Sequence, residues 1–425
     1  MIHKIKTFGQ STFASLNVRN YRLYVVGQGI SLTGTWMQTI GQAWLVLELT
    51  GSGTALGLVT ALQYLPILLL APFGGVIAQR FSKRKILFIT QTIAGLLALI
   101  LGILVITHTV QLWMVYMLAA IFGLSTSIDN PTRQSFIFEM VGEDNISNAV
   151  TLNSTEVNLA RIIGPAIAGT LIATIGIAAC FFVNAASYIA VLICLSLMHA
   201  KELYASKKIQ RAKGQIREGF RYIWHTPMLR DLLIMMAIVG TFVYEFQISL
   251  ALMAKYVFGG NAGVYAALTS AMGIGSVIGG IATAGRRKTA PQGLVMLVAI
   301  LGAAMIGTAL APNLPFAIAG MVVVGIFSIA FTSLGNSILQ LESKPEMRSR
   351  VMALWAVAFL GSTPIGGPII GWIGEHFNPR WGLGIGGFSA LIAALFAMIA
   401  MKKYPAYGTA ESVDIELPTE RDFKK

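Results

Sequence analysis

Charged residues are scarce in this 425-residue chain: Asp, Glu, Lys and Arg together make up 12% of it, whereas hydrophobic residues make up 55%. Soluble globular domains usually contain about 25% charged residues, so roughly half of the expected charge is missing. A water-soluble fold could not bury so many apolar side chains. The composition therefore excludes an ordinary soluble protein and indicates a membrane protein.

Residues and motifs that commonly build catalytic or metal centres are also sparse. The two cysteines, Cys180 and Cys194, lie in one apolar stretch and lack the spacing of a metal site. The five histidines are scattered, and no His-Glu-x-x-His or Gly-x-Ser-x-Gly motif occurs. No Gly-x4-Gly-Lys-Ser/Thr loop for ATP phosphates occurs either. We therefore expect no catalytic residues, metal or cofactor, and keep a polytopic membrane enzyme only as an alternative.

Acidic residues are fewer than basic ones, 18 against 31, which gives a net charge of +13. Such a charge can indicate nucleic-acid binding, but basic residues also gather on the cytoplasmic side of membrane proteins. We favour membrane lipids over nucleic acid as partners. The first 20 residues lack a continuous apolar core before a small-residue cleavage site. We therefore expect no cleaved signal peptide and a retained first apolar segment.

Twelve apolar segments are long enough to cross a bilayer, whose hydrocarbon core of about 30 Å requires about 20 helical residues. They predict an all-α membrane protein with twelve transmembrane helices. The predicted spans are 23–47, 55–79, 86–107, 111–130, 149–173, 177–198, 229–254, 261–284, 292–311, 314–337, 350–374 and 381–401. The predicted parts are an N-terminal segment (1–22), two six-helix bundles (23–198 and 229–401), a linker with an amphipathic helix (199–228) and a tail (402–425).

The distribution of basic residues predicts the orientation of these spans. If both termini are cytoplasmic, all but three of the 31 Lys and Arg residues fall in cytoplasmic segments. Lys255 and Arg380 lie in outer connections, and Arg161 lies within a span. An odd number of helices would destroy this asymmetry, which the positive-inside rule predicts. We expect a monomeric, multi-pass protein of the cell inner (cytoplasmic) membrane with both termini cytoplasmic.

The second half of the chain echoes the first about 205 residues later, in three places and in the same order. Each matching pair is weak alone, because membrane helices are rich in Gly and Pro. The pairs are 74–78 with 279–282, 126–130 with 332–336, and 164–167 with 367–370. Two similar six-helix halves around a central site are typical of transporters that rock one half against the other.

One stretch between the second and third spans resembles a motif of the major facilitator superfamily, Gly-x-Leu-Ala-Asp-Arg-x-Gly-Arg-Arg. Residues 75–84 read Gly-Val-Ile-Ala-Gln-Arg-Phe-Ser-Lys-Arg. The resemblance implies a cytoplasmic gate that includes Gly75, Gln79, Arg80 and Arg84. Gln79 replaces the family's aspartate, which helps to hold the cytoplasmic face closed. Gln79 carries no charge, so this sequence lacks the acidic partner of that ion pair.

Further stretches are similar to the branch of this superfamily that includes bacterial enterobactin exporters and drug-efflux proteins. They are residues 17–22, 129–134, 158–169 and 217–223. The third stretch contains Gly164, Pro165 and Gly169 and looks like the Gly-Pro motif on helix 5 of proton-driven antiporters. The resemblance implies the major facilitator fold, with two pseudo-symmetric six-helix halves, and export in exchange for protons.

Three charged residues lie well within predicted spans, where each needs a reason because charge in a bilayer is costly. Glu156 and Arg161 are five residues apart, about 140° around a helix, and therefore do not form the usual helical ion pair. Glu156 and Glu245 are candidates for proton coupling or cargo binding. Arg161 is a candidate for holding an anionic cargo or for setting the pKa of Glu156. The alternative for Glu156 and Arg161 is an interhelical salt bridge or polar contact that sets packing. The alternative for Glu245 is a carboxylate that snorkels to the interface or is satisfied by water.

Polar residues at helical spacing are candidates for lining a transport cavity, because polar stripes on spanning helices avoid lipid. Helix–helix hydrogen bonding is the alternative. The candidates are Ser31, Thr35, Gln38 and Gln42 on helix 1, Thr241 and Ser249 flanking Glu245 on helix 7, and Ser333 and Asn336 on helix 10. Aromatic residues that could stack on an apolar cargo are Trp36, Trp44, Tyr64, Tyr244 and Trp355.

Asp129 and Arg133 are spaced i,i+4 at the cytoplasmic end of helix 4, with Pro131 between them. The spacing favours a structural gate pair over direct proton handling, although the proline leaves a continuous helix open. Taken together, the sequence predicts a secondary exporter of a small amphipathic molecule, siderophore-like or drug-like, driven by proton antiport. An importer or facilitator on the same fold is the alternative.

Overall fold

The computed structural model describes residues 14–204, 215–283 and 291–403, and this part of the chain is helical without strands. The predicted tail beyond Lys403 and the basic loop 286–288 lie outside it. The helices of the first half are α1 (Arg19–Thr50), α2 (Gly53–Arg80), α3 (Lys83–Ile106), α4 (Leu112–Thr174) and α5 (Ile177–Ser196). A linker helix, α6 (Gln215–His225), follows. The second half contains α7 (Pro227–Phe242), α8 (Phe246–Leu252), α9 (Ala262–Thr283), α10 (Pro291–Ala309), α11 (Leu314–Leu341), α12 (Arg348–Leu360), α13 (Thr363–His376) and α14 (Pro379–Lys403).

Within the described residues, ten helical stretches are long and apolar enough to cross a membrane. One of them, α4, has 63 residues and contains two predicted spans. Helix α1 is not among the ten, although it has 32 residues, because its glutamines and hydroxyl residues lower its hydropathy. Counting α1 and both parts of α4, the elements are consistent with twelve spans.

Helix α4 turns back on itself at Gly142, where φ is 71°. A residue with a Cβ rarely adopts this left-handed conformation, so glycine is suited to the position. The ring of Tyr204 also lies only 3.1 Å from where a Cβ would stand. The helix passes through Pro131 without a break. The predicted end of the fourth span at residue 130 is therefore about eleven residues short of the bend.

Two predicted spans are interrupted in the structure. The span 229–254 breaks between Phe242 and Phe246, and the span 350–374 breaks at Gly361 and Ser362. Glu245 therefore lies in a break with φ −82° and ψ 37°, not inside a regular helix. The expectation that Glu245 belongs to a continuous polar stripe on one helical face was wrong.

The two ends of the bundle differ in how the halves meet. We call the end with Arg80 and Arg350 the basic end, and the end with Gly51 and Glu375 the opposite end. At the opposite end, α2 and α13 pack so closely that a Cβ on Gly371 would stand 2.1 Å from the carbonyl oxygen of Gly53. Glycine pairs allow two backbones to approach in this way.

Hydrogen bonds between the halves reinforce the opposite end. The Glu375 carboxylate accepts bonds from the backbone N–H and hydroxyl of Thr54, at 2.9 and 2.6 Å. Lys255 donates to the carbonyl of Leu47 at 2.6 Å, and Tyr256 donates to that of Gly51. A carboxylate at the start of α2 and an ammonium near the end of α1 also complement the helix dipoles. At the basic end, the bonds of Lys83 and Arg84 stay within the first half.

The linker helix α6 is amphipathic, as the sequence predicts. Ile223 is buried, whereas Phe220 and Trp224 are exposed and stack with ring centroids 5.7 Å apart. Glu218 pairs with Arg350 at 2.8 Å, which ties the linker to α12. Exposed aromatic rings beside basic residues are suited to a membrane surface.

Candidate functional site

A cavity of about 420 Å³ lies between the two halves near the middle of the bundle. Helices from both halves contribute to its lining, which is mainly aromatic and hydroxylated. Its aromatic residues include Trp36, Tyr64, Tyr244, Tyr265, Trp355 and Phe359. Of the five aromatic residues predicted for cargo stacking, only Trp44 is absent from this lining; its indole N–H donates to Glu48. A largely apolar cavity with a few polar groups is typical of a small-molecule site.

Arg161 lines this cavity from the second part of α4. Its guanidinium carbon stands 5.1 Å from the centroid of the Trp36 ring, a cation–π arrangement. Gly164, one turn further on, makes the contact possible, since a Cβ there would stand 2.5 Å from the Cβ of Trp36. Pro165 is buried beside it, and Gly169 packs against Ala266 of α9. The Gly-Pro motif, in the second part of α4, thus brings that helix against both α1 and α9.

Glu245 lines the same cavity and is 3% exposed. It lies at the break between α7 and α8, where α13 approaches through Gly366 and Gly367. Its Oε1 atom has no hydrogen-bond partner. Within the described residues, neither Glu245 nor Arg161 forms an ion pair, although the two share one cavity.

Glu156 is not among the cavity-lining residues. It lies nearer the basic end and packs against α1. Its Oε1 atom is 2.8 Å from where a Cβ on Gly29 would stand. Neither of its carboxylate oxygens has a hydrogen-bond partner. Arg133 is the charged residue that interacts with it electrostatically. Neither Glu156 nor Arg161 forms, with the residues that the structure describes, the interhelical salt bridge that the sequence left open as one alternative for each.

The polar stripe of α1 faces α5 more than it faces the cavity. Thr35 lies 3.3 Å from the hydroxyl of Tyr188, and Asn184 donates to Gln38 at 2.6 Å. Together with Gln42, Thr35 and Gln38 line a separate pocket of about 30 Å³, roughly the volume of one water molecule. For this stripe, the structure shows the helix–helix hydrogen bonding that the sequence left as the alternative.

The other cavity-lining candidates are distributed unevenly. Ser333 and Asn336 of α11 line the large cavity, and the Asn336 carboxamide oxygen is buried without a hydrogen-bond partner. Ser31, Thr241 and Ser249 are not among its lining residues. Instead, Ser31 and Ser249 are each 2% exposed within helix packing, and Thr241 donates to the carbonyl of Ala237.

Asp129 at the basic end is surrounded by donors. Arg133 pairs with it one turn along α4, Thr90 donates to it at 2.6 Å and Gln91 donates at 2.9 Å. The sequence indicated Arg133 by its i,i+4 spacing. Nothing in the local sequence could indicate Thr90 and Gln91, which are almost forty positions away. We call these four residues the Asp129 cluster.

The motif between α2 and α3 anchors the basic end of the first half. Arg84 donates to the carbonyls of Leu195 and Ser196 at the end of α5, at 2.7 and 2.8 Å. Arg80 is exposed, and the side-chain surroundings of Gly75 and Gln79 lie outside the described part of the structure. Lys83 pairs with Glu139 of α4, an ion pair that the sequence reasoning missed.

Comparison with known proteins agrees with this arrangement. The chain is 25% identical to the multidrug efflux pump Tap of Mycolicibacterium fortuitum, over 81% of this chain and 87% of that protein. It is 24% identical to the enterobactin exporter EntS of Shigella flexneri, over 85% of this chain and 83% of EntS. These relatives are transporters and not enzymes.

Solved structures agree on the fold. A bacterial homologue of the human lysosomal transporter Spinster, in an inward-facing, unoccupied conformation, superposes with a TM-score of 0.72 at 16% identity. The match covers 93% of this chain and 99% of that protein. Residues 10–419 match the family described as transmembrane secretion effectors. The chain therefore belongs to the transmembrane secretion effector family of major facilitator superfamily transporters.

Proposed function

We propose that this protein exports a small amphipathic molecule, siderophore-like or drug-like, across the inner membrane in exchange for protons. The observation that carries the proposal is the aromatic cavity at mid-bundle, which contains Arg161 and Glu245 without ionic partners. The names of two relatives, a multidrug efflux pump and an enterobactin exporter, support an amphipathic cargo and an outward direction.

The asymmetry of the two ends supports an alternating-access cycle. Both termini are cytoplasmic in the proposed orientation, so the opposite end, closed by Glu375 and Lys255, is extracytoplasmic. The structure then corresponds to a state that loads cargo from the cytoplasm. We propose that the predicted bundles, 23–198 and 229–401, rock as rigid halves of a monomer that is surrounded by lipid. The glycine contacts between α2 and α13 part when the outer end opens.

Proton exchange requires a carboxylate that is stable both with and without a proton at different steps of the cycle. Glu156 and Glu245 are both candidates, because each has at least one buried oxygen without a hydrogen-bond partner. A proton removes the cost of keeping such a group charged. Glu245 could exchange its proton directly with cargo in the cavity. Glu156, outside the cavity lining, would act through α1 and Arg133.

The test is counterflow in proteoliposomes under an imposed pH gradient, with siderophores and amphipathic drugs as cargo. Export by antiport predicts cargo movement opposite to the proton flow, and Glu245→Gln or Glu156→Gln flattens its pH dependence. Glu342→Gln, at an exposed position after α11, is the matched control and leaves transport unchanged. Movement with the protons favours the alternative, an importer. Movement that ignores the gradient favours a facilitator.

A further inference from the structure

Arg161 is a cation in the wall of the cavity without an anion to balance it. Within the described residues, no carboxylate lies within ion-pair distance of its guanidinium, and its Nε is buried without a hydrogen-bond acceptor. Two other basic residues of the first half have partners: Arg133 pairs with Asp129, and Arg84 donates to a carbonyl at the end of α5. A charge held at membrane depth without a partner marks a functional position.

The guanidinium is held in place by its surroundings and not by an acid. Trp36 supports it from one side. The neighbouring backbone is fixed to α9 of the other half, because Ser270 donates to the carbonyl of Ile162 at 3.2 Å. Gly273 of α9 also approaches the carbonyl oxygen of Arg161, at 3.2 Å from the position of its absent Cβ. The cation is thus positioned where the two halves meet.

Unused hydrogen-bond donors line the same cavity. The indole N–H of Trp355 and the hydroxyl of Tyr265 are both buried without partners. With Arg161 they give three donor groups from three different helices. The unused acceptors are Oε1 of Glu245 and the carboxamide oxygen of Asn336. Unused donors, one of them positively charged, and unused acceptors in one cavity favour a ligand with both an oxyanion and a hydrogen-bond donor.

Aromatic rings form a continuous wall on α12 and the α7–α8 break. Trp355 and Phe359 are stacked, with centroids 5.4 Å apart, and Tyr244 meets Phe359 edge-on at 4.6 Å. The Tyr244 hydroxyl is fixed by the carbonyl of Ser328 at 2.9 Å. Such a wall offers flat apolar area for stacking a planar ring.

We propose that the cargo is an aromatic oxyanion, a molecule with a carboxylate or similar acid close to a planar ring, and that Arg161 binds the acid. This inference rests on the proposed transport function and defines the substrate class. The planar guanidinium matches the two oxygens of an oxyanion and forms strong, charge-assisted hydrogen bonds. Cationic amphipaths are disfavoured beside Arg161, because they meet a like charge there.

Binding measurements on the full-length protein in lipid nanodiscs test the proposal without requiring transport. The probes are naphthalene-2-sulfonate and its neutral isostere naphthalene-2-sulfonamide, compared by isothermal titration calorimetry. We expect the sulfonate to bind at least tenfold more tightly than the sulfonamide. Equal affinities, or no measurable binding of the sulfonate, would overturn the proposal, and this comparison needs no mutant.

Variants then assign the preference to Arg161. Arg161→Gln should abolish the sulfonate preference while sulfonamide binding stays, and Arg161→Lys should keep part of the preference. Arg22→Gln, an exposed arginine on α1, is the matched control and leaves the ratio unchanged. A purely structural role for Arg161 predicts equal losses for both probes. Sulfonate preference without pH-driven transport would retain this inference and reject proton antiport. Transport driven by the pH gradient without a preference for the sulfonate would reject only the proposal of an anionic cargo.

Discussion

Helix α4 carries two charged residues, Asp129 and Arg161, whose side chains have opposite kinds of surroundings. Asp129, in its first part, receives hydrogen bonds from Thr90 and Gln91 and pairs with Arg133. Arg161, in its second part, has the face of the Trp36 ring against its charge and no ion-pair partner among the described residues. Asp129 is 4% exposed, and Arg161 is half-buried with its Nε atom buried.

The difference separates structural charge from functional charge. Buried polar groups in folded proteins nearly always have hydrogen-bond partners, and a saturated group such as Asp129 fixes packing. A charged group at membrane depth that lacks an ion-pair partner can bind an opposite charge or a proton. We propose that Arg161, Glu245 and Glu156, which have no ion-pair partner within the described residues, are functional charges, and that the Asp129 cluster holds the basic end together. The following predictions test this division, from the largest expected effect to the smallest.

Replacing Arg161 should affect transport most and stability least. We expect Arg161→Gln to lower the transport rate of naphthalene-2-sulfonate in proteoliposomes at least tenfold, because the anion loses its only fixed counter-charge. The melting temperature of the purified protein should stay the same or rise, since an unpaired buried charge is removed. A large drop in melting temperature with unchanged transport would place Arg161 with the structural charges.

Replacing Asp129 should lower stability more than transport, the reverse of what we expect for Arg161. Asp129→Ala leaves Arg133 without its carboxylate and leaves Thr90 and Gln91 without their acceptor. Breaking a fully buried ion pair costs about 3–5 kcal/mol, and the partial exposure of Arg133 lowers our expectation to about 2–3 kcal/mol. Thermal unfolding in detergent measures the loss. Asp129→Asn, which keeps an acceptor for Thr90, should lose less. Stability equal to that of the native protein in both variants would contradict a structural role.

Glu245 and Glu156, two carboxylates without an ion-pair partner in the described part of the chain, should differ in how strongly they affect transport. Glu245→Gln should flatten the pH dependence of transport, because Glu245 lies in the cavity, and the maximal rate should change by less than about threefold. Glu156→Gln should have a smaller effect, since Glu156 acts at a distance from cargo. Rates measured across a pH series in proteoliposomes decide the order. An unchanged pH profile in Glu245→Gln, with a flat profile in Glu156→Gln, would assign the coupling to Glu156.

The smallest effect is expected from the aromatic support of Arg161. Trp36→Phe keeps a ring under the guanidinium but weakens the cation–π contact, so the affinity for the sulfonate should fall about two- to fivefold. Trp44→Phe is the matched control, because Trp44 is buried on the same helix but bonds to Glu48 outside the cavity. Equal effects of both substitutions in calorimetry would mean that Trp36 acts only through packing.

The positions of the spans were predictable, because bilayer thickness sets helix length and apolar runs reveal it. The interruptions were not. Val243 and Tyr244 are ordinary helix residues, and the break before Phe246 arises where α13 packs through Gly366. A Cβ on Gly366 would stand 1.7 Å from the carbonyl oxygen of Thr241, so the contact depends on residues more than 120 positions apart. Local sequence carries no signal for it.

The sequence was enough to predict which residues are charged within the spans, but not which residues they contact. A charge within an apolar span identifies Arg161, Glu156 and Glu245 directly, since few reasons for such a charge exist. Their shared or separate surroundings depend on helix rotation, which spacing alone does not determine. The stripe containing Gln38 illustrates this, because its face meets Asn184 of α5 and does not line the large cavity between the halves.

The most direct test of the central claim is transport of naphthalene-2-sulfonate in proteoliposomes under pH gradients of either sign. This permanent anion does not cross lipid as a neutral acid, so empty liposomes and Arg161→Gln provide the background. We predict accumulation of the sulfonate against its own gradient, in the direction opposite to proton flow, by the native protein alone. Sulfonate that binds the native protein but does not respond to either gradient would contradict the account.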